Sequence, residues 1–84
     1  MISKQVTVGI PTGLEARTVA VVVQIASKYD CDIHFELDTK KVNAKSIMGM
    51  MTLGINAGES VTVCASGSDE AQAIDDLEKY LENK

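Results

Sequence analysis

The chain of 84 residues contains no tryptophan, one phenylalanine and two tyrosines. Tyr29, Phe35 and Tyr80 are too few for a surface on which nucleic-acid bases stack. Positive charge is also scarce: 8 lysines and arginines stand against 12 acidic residues, a formal net charge of −4. Such a chain suits neither nucleic acid nor an anionic membrane, so no direct nucleic-acid contact and no membrane insertion are expected. No long hydrophobic run occurs. The longest, "TVAVVVQIA", falls far short of the roughly 20 residues that a spanning helix needs. The opening "MISKQVTVGI" lacks the apolar centre of a signal peptide, which makes a cytoplasmic location the expectation. Cys31 and Cys64 are too few for a disulfide framework and are expected to be reduced thiols. The single histidine, His34, has no neighbouring ligand at a usual spacing along the chain, so neither a metal site nor a cofactor is expected.

What is present suffices for one small domain over residues 1–84, with one core and little room for a deep catalytic pocket. Residues 4–10 alternate, with Val6, Val8 and Ile10 on one side and Gln5 and Thr7 on the other, the pattern of a half-buried strand. Pro11 and Gly13 break it. The following "TVAVVVQIASKY" is rich in β-branched residues, which favour strands. Its length, and a stripe of Val19, Ala20, Val23 and Ala26, favour a helix. Thr12 and Glu15 make a T-x-x-E pattern, a candidate capping box. Cys31, Ile33, Phe35 and Leu37 then alternate with Asp32, His34 and Glu36; "LDTKK" reads as a tight reversal and "KKVNAK" as a short returning strand. Ser46 is a natural N-cap for a short helix, "IMGMMTL". Gly54 and Gly58 bracket a loop. "SVTVCASG" alternates again, with Val61, Val63 and Ala65 on one face and Cys64 on the other. "SDEAQAIDDLEKYLENK" is a clear helix, with Asp69 and Glu70 at its start and a stripe of Ile74, Leu77 and Leu81. The order is βαββαβα. Strands with one polar face imply an antiparallel sheet that is wet on one side and covered by helices on the other. Cys31 and Cys64 then lie on opposite faces and cannot bridge, and Cys64 is expected to be the more reactive thiol.

"GLEAR", followed by "ASKYDCDI", and above all "KKVNAKSIMGMMTLGI" resemble the histidine-containing phosphocarrier (HPr) family of the bacterial phosphoenolpyruvate:sugar phosphotransferase system. The likeness runs through the closing "ASGSDEAQAIDDLEKYL" and so covers essentially the whole chain. It implies an α+β fold, an open-faced β-sandwich with a four-stranded antiparallel sheet and three helices on one face. It also makes the valine-rich segment a helix. No enzymatic activity is implied.

The family's first site reads Gly–aliphatic–His–Ala–Arg–Pro, and its histidine relays a phosphoryl group. Gly13, Leu14, Ala16 and Arg17 match, but Glu15 occupies the histidine position and Thr18 the proline position. An imidazole is a neutral nucleophile near pH 7. A carboxylate approaching a phosphoryl donor is an anion meeting an anion, and one arginine is thin support for it. Relay through this degenerate site is therefore expected to be absent. Glu15 is either a charge suited to a helix start or a partial mimic of a phosphorylated histidine.

The second site is intact. In many family members the serine of "KSIMG" is phosphorylated by a dedicated kinase, and the product is co-effector of a catabolite-control transcription repressor; Ser46 holds that position here. The plainer reading of Ser46 is a helix cap and nothing more. By the same resemblance, Ala20, Gln24, Ser27, Ile47, Met48 and Met51 form a docking face shared among partners, including other phosphotransferase-system proteins. Pliable methionines suit such a surface. Met50 reads as a core gap-filler, and Lys40, Lys41 and Lys45 as a small basic cluster of the kind that is usually solvated.

Three functional expectations follow. The leading one is a regulatory protein of carbon catabolite control, similar to the catabolite-repression HPr-like proteins, which also lack the histidine but carry glutamine there. The alternative is a phosphocarrier-family protein with altered or decoy function. A small ligand-binding domain on the same scaffold is a third, more distant reading.

Overall fold

A computed structural model of the chain describes residues 1–11 and 13–83. The elements are β1 (Ile2–Thr7), α1 (Ala16–Ser27), β2 (Asp32–Leu37), β3 (Lys40–Asn43), α2 (Ile47–Met51), β4 (Ser60–Ser66) and α3 (Glu70–Leu81). The strands form one antiparallel sheet in the order β1-β4-β2-β3. The chain's last strand is thus interior, hydrogen-bonded to β1 on one side and to β2 on the other.

Alternation sorts the sheet's side chains. Val6, Ile33, Phe35, Val61, Val63 and Ala65 join Val19 and Val22 of α1, Met50 of α2, and Leu77 and Leu81 of α3 in a single buried cluster. On the opposite face Ser3, Gln5 and Thr7 lie in register with Cys64, Thr62 and Ser60, and His34 and Glu36 continue the row on β2. That face is polar and carries no helix, as the periodicity of two requires when only one side is packed. The β2–β3 reversal closes in two residues, Asp38 and Thr39. Asp38 takes a positive φ of 55°, which aspartate tolerates in tight hairpins.

Four readings need correction. β1 begins at Ile2 and ends at Thr7, because pairing with β4 runs only from Ile2↔Ala65 to Thr7↔Ser60. Lys4, on the helix-covered parity, is exposed at the edge strand and reaches over to Glu78 of α3 at 2.7 Å. On α1 the buried residues are Thr18, Val19, Val22 and Ala26, whereas Ala20 and Val23 are only half-buried. The stripe is rotated because α1 also packs sideways against α2 and α3, so the flanking residues gain partial cover.

The third correction concerns the α1 start. Glu15 is itself the N-cap, so the helix begins too late for Glu15 to close a capping box; the proposed partner Thr12 lies outside the described residues. The fourth is Cys64. Its parity is as expected, away from the helices, but it is 2% exposed against 3% for Cys31. An interior strand has neighbours on both sides: Ser3 and His34 flank Cys64 in register. Exposure therefore does not favour Cys64 as the reactive thiol. Both cysteines are free.

Candidate functional site

The start of α1 is set by the loop before it. Gly13 N–H donates to the Ile10 carbonyl at 2.9 Å, and Leu14 N–H donates to the Ile55 carbonyl at 2.8 Å. Gly13 has a φ of +68°, and a Cβ there would sit 2.6 Å from the Ile55 oxygen. Glycine alone fits both demands. Leu14 anchors the loop in the core. Glu15 is then delivered in extended conformation, φ −97° and ψ 179°, and its carbonyl accepts the first helical hydrogen bond from Val19 N–H at 2.8 Å. Its side chain makes no cap hydrogen bond and is exposed. Arg17 is exposed too, and among the described residues no ion pair joins the two. Thr18 is buried in the first helical turn, where backbone N–H groups have no intrahelical acceptor. The arrangement presents a solvated anion at a helix start.

The start of α2 is built differently. Ser46 is the N-cap, and its Oγ accepts the Gly49 N–H at 3.2 Å. Its own N–H donates to the Asn43 carbonyl at 3.0 Å, and its carbonyl accepts from Met50 N–H at 3.0 Å. Asn43 Oδ1 accepts the Lys45 N–H at 2.8 Å, which shapes the turn into the helix. Two members of the basic cluster are tied to backbone carbonyls: Lys45 Nζ donates to Tyr29 at 2.7 Å and Lys40 Nζ to Thr52 at 3.2 Å. Lys41 is exposed in register with Glu36. On α2 itself Met50 is fully buried, as expected of a gap-filler. Ile47, Met48 and Met51 are 50%, 84% and 49% exposed. On α1, which packs against α2, Gln24 and Ser27 are exposed and Ala20 is half-buried, one stripe at helical spacing.

The α3 start braces the segment that follows the C-terminal end of α1. The Asp69 carboxylate makes no cap bond to its own helix; it accepts from Asp30 N–H at 2.9 Å and Cys31 N–H at 3.1 Å. Backbone donation from Asp30, followed by the Cys31 thiol, holds its pKa below the usual carboxylate value. Burial, and then the hydrogen bond to Asp69, pushes the Cys31 thiol up to about 11. The Tyr29 hydroxyl donates to Asp76, and that hydrogen bond, ahead of desolvation, raises its pKa to about 12.

One constellation was invisible along the chain. His34, Glu36 and Cys64 each bring one potential ligand atom within 4.8 Å of the others. His34 and Glu36 share a face by their spacing of two, and the β2–β4 register sets Cys64 directly opposite His34. The alternation of β2 held half of this signal; the partner strand's identity held the rest. Beside it lies an open groove of about 390 Å³ with His34, Lys41, Asn43 and Lys45 in its walls.

The fold is a βαββαβα open-faced sandwich in which the starts of α1 and α2, at Glu15 and Ser46, lie at the surface. Comparison with known proteins gives the family. The model described as "PTS HPr component phosphorylation site" matches residues 2–83, and the chain belongs to the HPr family. It is 45% identical over 84 residues to the HPr-like protein Crh of Halalkalibacterium halodurans, covering all of both chains. It is 44% identical to the HPr-like protein Crh of Bacillus subtilis, covering 100% of this chain and 99% of that one. Among solved structures, HPr-C-His from Thermoanaerobacter tengcongensis superposes with a TM-score of 0.94 at 46% identity, covering 99% of this chain and 93% of that one. As a member of this family the chain is a carrier-type or regulatory protein, not an enzyme. No helix among the described residues is long and apolar enough to cross a membrane.

Proposed function

We propose that this protein is a regulatory HPr-family member of carbon catabolite control, acting through phosphorylation of Ser46, with phosphoryl relay through position 15 lost. The observation that carries the reading is the run Ser46–Met51. A half-buried serine caps α2, and beside it Ile47, Met48 and Met51 are left exposed, Met48 to 84%. A kinase that transfers a phosphoryl group to Ser46 Oγ adds nearly two negative charges and strong acceptor oxygens beside an apolar patch. The Gly49 N–H that now meets the hydroxyl is available to those oxygens. The change in stability is expected to be small, about 1 kcal/mol or less in either direction. The consequence lies in binding: the patch supplies apolar contact, and the phosphate supplies a target for arginines on a catabolite-control repressor. Ala20, Gln24 and Ser27 extend the docking face toward other phosphotransferase-system proteins.

Glu15 supports the loss of relay. A solvated carboxylate without a cap partner lacks the neutral ring nitrogen that takes a phosphoryl group. Arg17 and Thr18 complete the degenerate site but supply no nucleophile suited to relay.

The test is intact mass after two incubations, one with the upstream phosphotransferase enzyme and phosphoenolpyruvate, the other with the serine kinase and ATP. The expected result is no stable adduct in the first and one phosphoryl group in the second, absent from Ser46→Ala. Met48→Ala should weaken repressor binding while leaving the circular dichroism unchanged. An adduct in the first incubation that disappears in Glu15→Gln would overturn the loss of relay. Equal repressor affinity with and without the phosphoryl group would reduce Ser46 to a cap.

A further inference from the structure

We propose that Cys64, His34 and Glu36 form a binding site for a thiophilic divalent cation, Zn²⁺ foremost, on the sheet face that carries no helix. The three side chains come from two adjacent strands. Cys64 stands opposite His34 across the β2–β4 ladder, and Glu36 lies diagonally from Cys64, opposite Thr62. Their potential ligand atoms lie within 4.8 Å of one another. A tetrahedral Zn²⁺ with bonds of about 2.0–2.3 Å separates its ligand atoms by roughly 3.5 Å. The remaining closure is within reach of small rotations of the imidazole and of the longer glutamate side chain.

Two independent observations favour a ligand over a chance cluster. His34 Nε2 is fully enclosed and has no hydrogen-bond partner among the described residues. An enclosed nitrogen left unpaired carries a desolvation penalty that a cation bound through Nε2 would remove. Cys64 is buried on the face that is otherwise polar, and Ser3 Oγ–H donates to its Sγ at 3.3 Å. A hydroxyl placed on the sulfur orients it as an outer partner orients a metal ligand.

The donor set selects the ion. Sulfur and imidazole nitrogen disfavour Mg²⁺ and Ca²⁺, which prefer oxygen cages, and suit Zn²⁺. On binding, the Cys64 thiol proton leaves to solvent and the thiolate, a neutral imidazole and the carboxylate occupy three positions. The fourth stays open to water. His34 and Glu36 are half-buried and give the ion a route from solvent. The site lies across the sheet from the helices that carry Glu15 and Ser46, so its fate is separable from the regulatory reading.

The test is titration of the reduced full chain with Co²⁺ as spectroscopic probe and with Zn²⁺ as competitor. One equivalent of Co²⁺ should produce a near-ultraviolet thiolate-to-cobalt charge-transfer band, which Zn²⁺ should bleach. Cys64→Ser should abolish the band, and Cys31→Ala should leave it. His34→Gln and Glu36→Gln should each weaken binding by roughly tenfold or more. Absence of the band at excess Co²⁺ overturns the proposal, as does a band that survives Cys64→Ser. If Cys64→Ser does not fold, unchanged affinity in both His34→Gln and Glu36→Gln overturns it.

Discussion

Helices α1 and α2 begin alike in backbone and unlike in side chain. Each starts after an extended residue whose carbonyl accepts the first helical bond, Glu15 in one case and Ser46 in the other. Ser46 turns its hydroxyl back onto the Gly49 N–H. Glu15 makes no cap bond with its carboxylate. The α1 start is held by what precedes Glu15, the Gly13–Leu14 loop against Ile55, whereas the α2 start is held by Ser46 itself. A side chain that contributes nothing to its own helix start can be exchanged with little structural effect. A side chain that caps its helix adds a structural contribution to any chemical role. The third start, at Asp69, shows a further use: its carboxylate fastens another segment, the Asp30–Cys31 backbone, rather than its own helix.

The comparison is most sharply broken at Gly13. Gly13→Ala forces a Cβ into the Ile55 carbonyl in left-handed backbone, and a loss on the order of 3 kcal/mol is expected in urea unfolding. A loss below about 1 kcal/mol would mean that the loop does not fix the α1 start.

The next effect belongs to Asp69 and depends on pH. The folded-state pKa of Asp69 lies below its ordinary value, so its contribution is present above the unfolded pKa and disappears as pH falls through the folded one. Asp69→Ala should therefore be less stable than the parent at neutral pH, with the difference shrinking below the usual carboxylate range. Thermal melts of both proteins between neutral and acidic pH measure it; a pH-independent gap would assign the loss to something other than the ionised carboxylate.

Ser46→Ala removes one cap bond from a short helix and is expected to cost about 1 kcal/mol, with Ser46→Gly closer to the parent. Denaturant midpoints for the two variants decide between a cap and a silent surface hydroxyl. The smallest effect is expected at Glu15. Glu15→Gln should change stability by less than about 0.5 kcal/mol, because the side chain is exposed and makes no cap bond. A larger loss would show that the carboxylate holds the α1 start after all.

Much of this was legible along the chain, for reasons that differ by element. Ser46 announced its cap because capping is local, decided within four residues of sequence. Met50 and its exposed neighbours Met48 and Met51 separated as expected. The valine-rich segment was ambiguous on propensity, since β-branched residues suit strands and packing overrides them; family resemblance supplied the answer. Its buried face was misjudged at Val22 and Val23, because flanking contacts with α2 and α3, not the helical period, decide which border residue is covered. The capping box failed for a similar reason. A T-x-x-E pattern cannot foresee that Gly13 N–H is tied to the Ile10 carbonyl and Leu14 N–H to the Ile55 carbonyl, with the helix starting only at Ala16.

By itself the sequence determined the order of elements, the turns at Asp38 and Gly13, the Ser46 cap and the face on which each strand residue lies. These are short-range matters, governed by backbone sterics and by a side-chain period of two or 3.6. Only the tertiary structure decided which strands are neighbours. The period of two says that Cys64 and His34 each avoid the helices; it does not say that β4 lies between β1 and β2. That order follows from burying every strand's apolar face under three helices at once, a condition on the whole chain. It encloses Cys64 between Ser3 and His34, and it makes neighbours of a thiol, an imidazole and a carboxylate that local spacing kept apart.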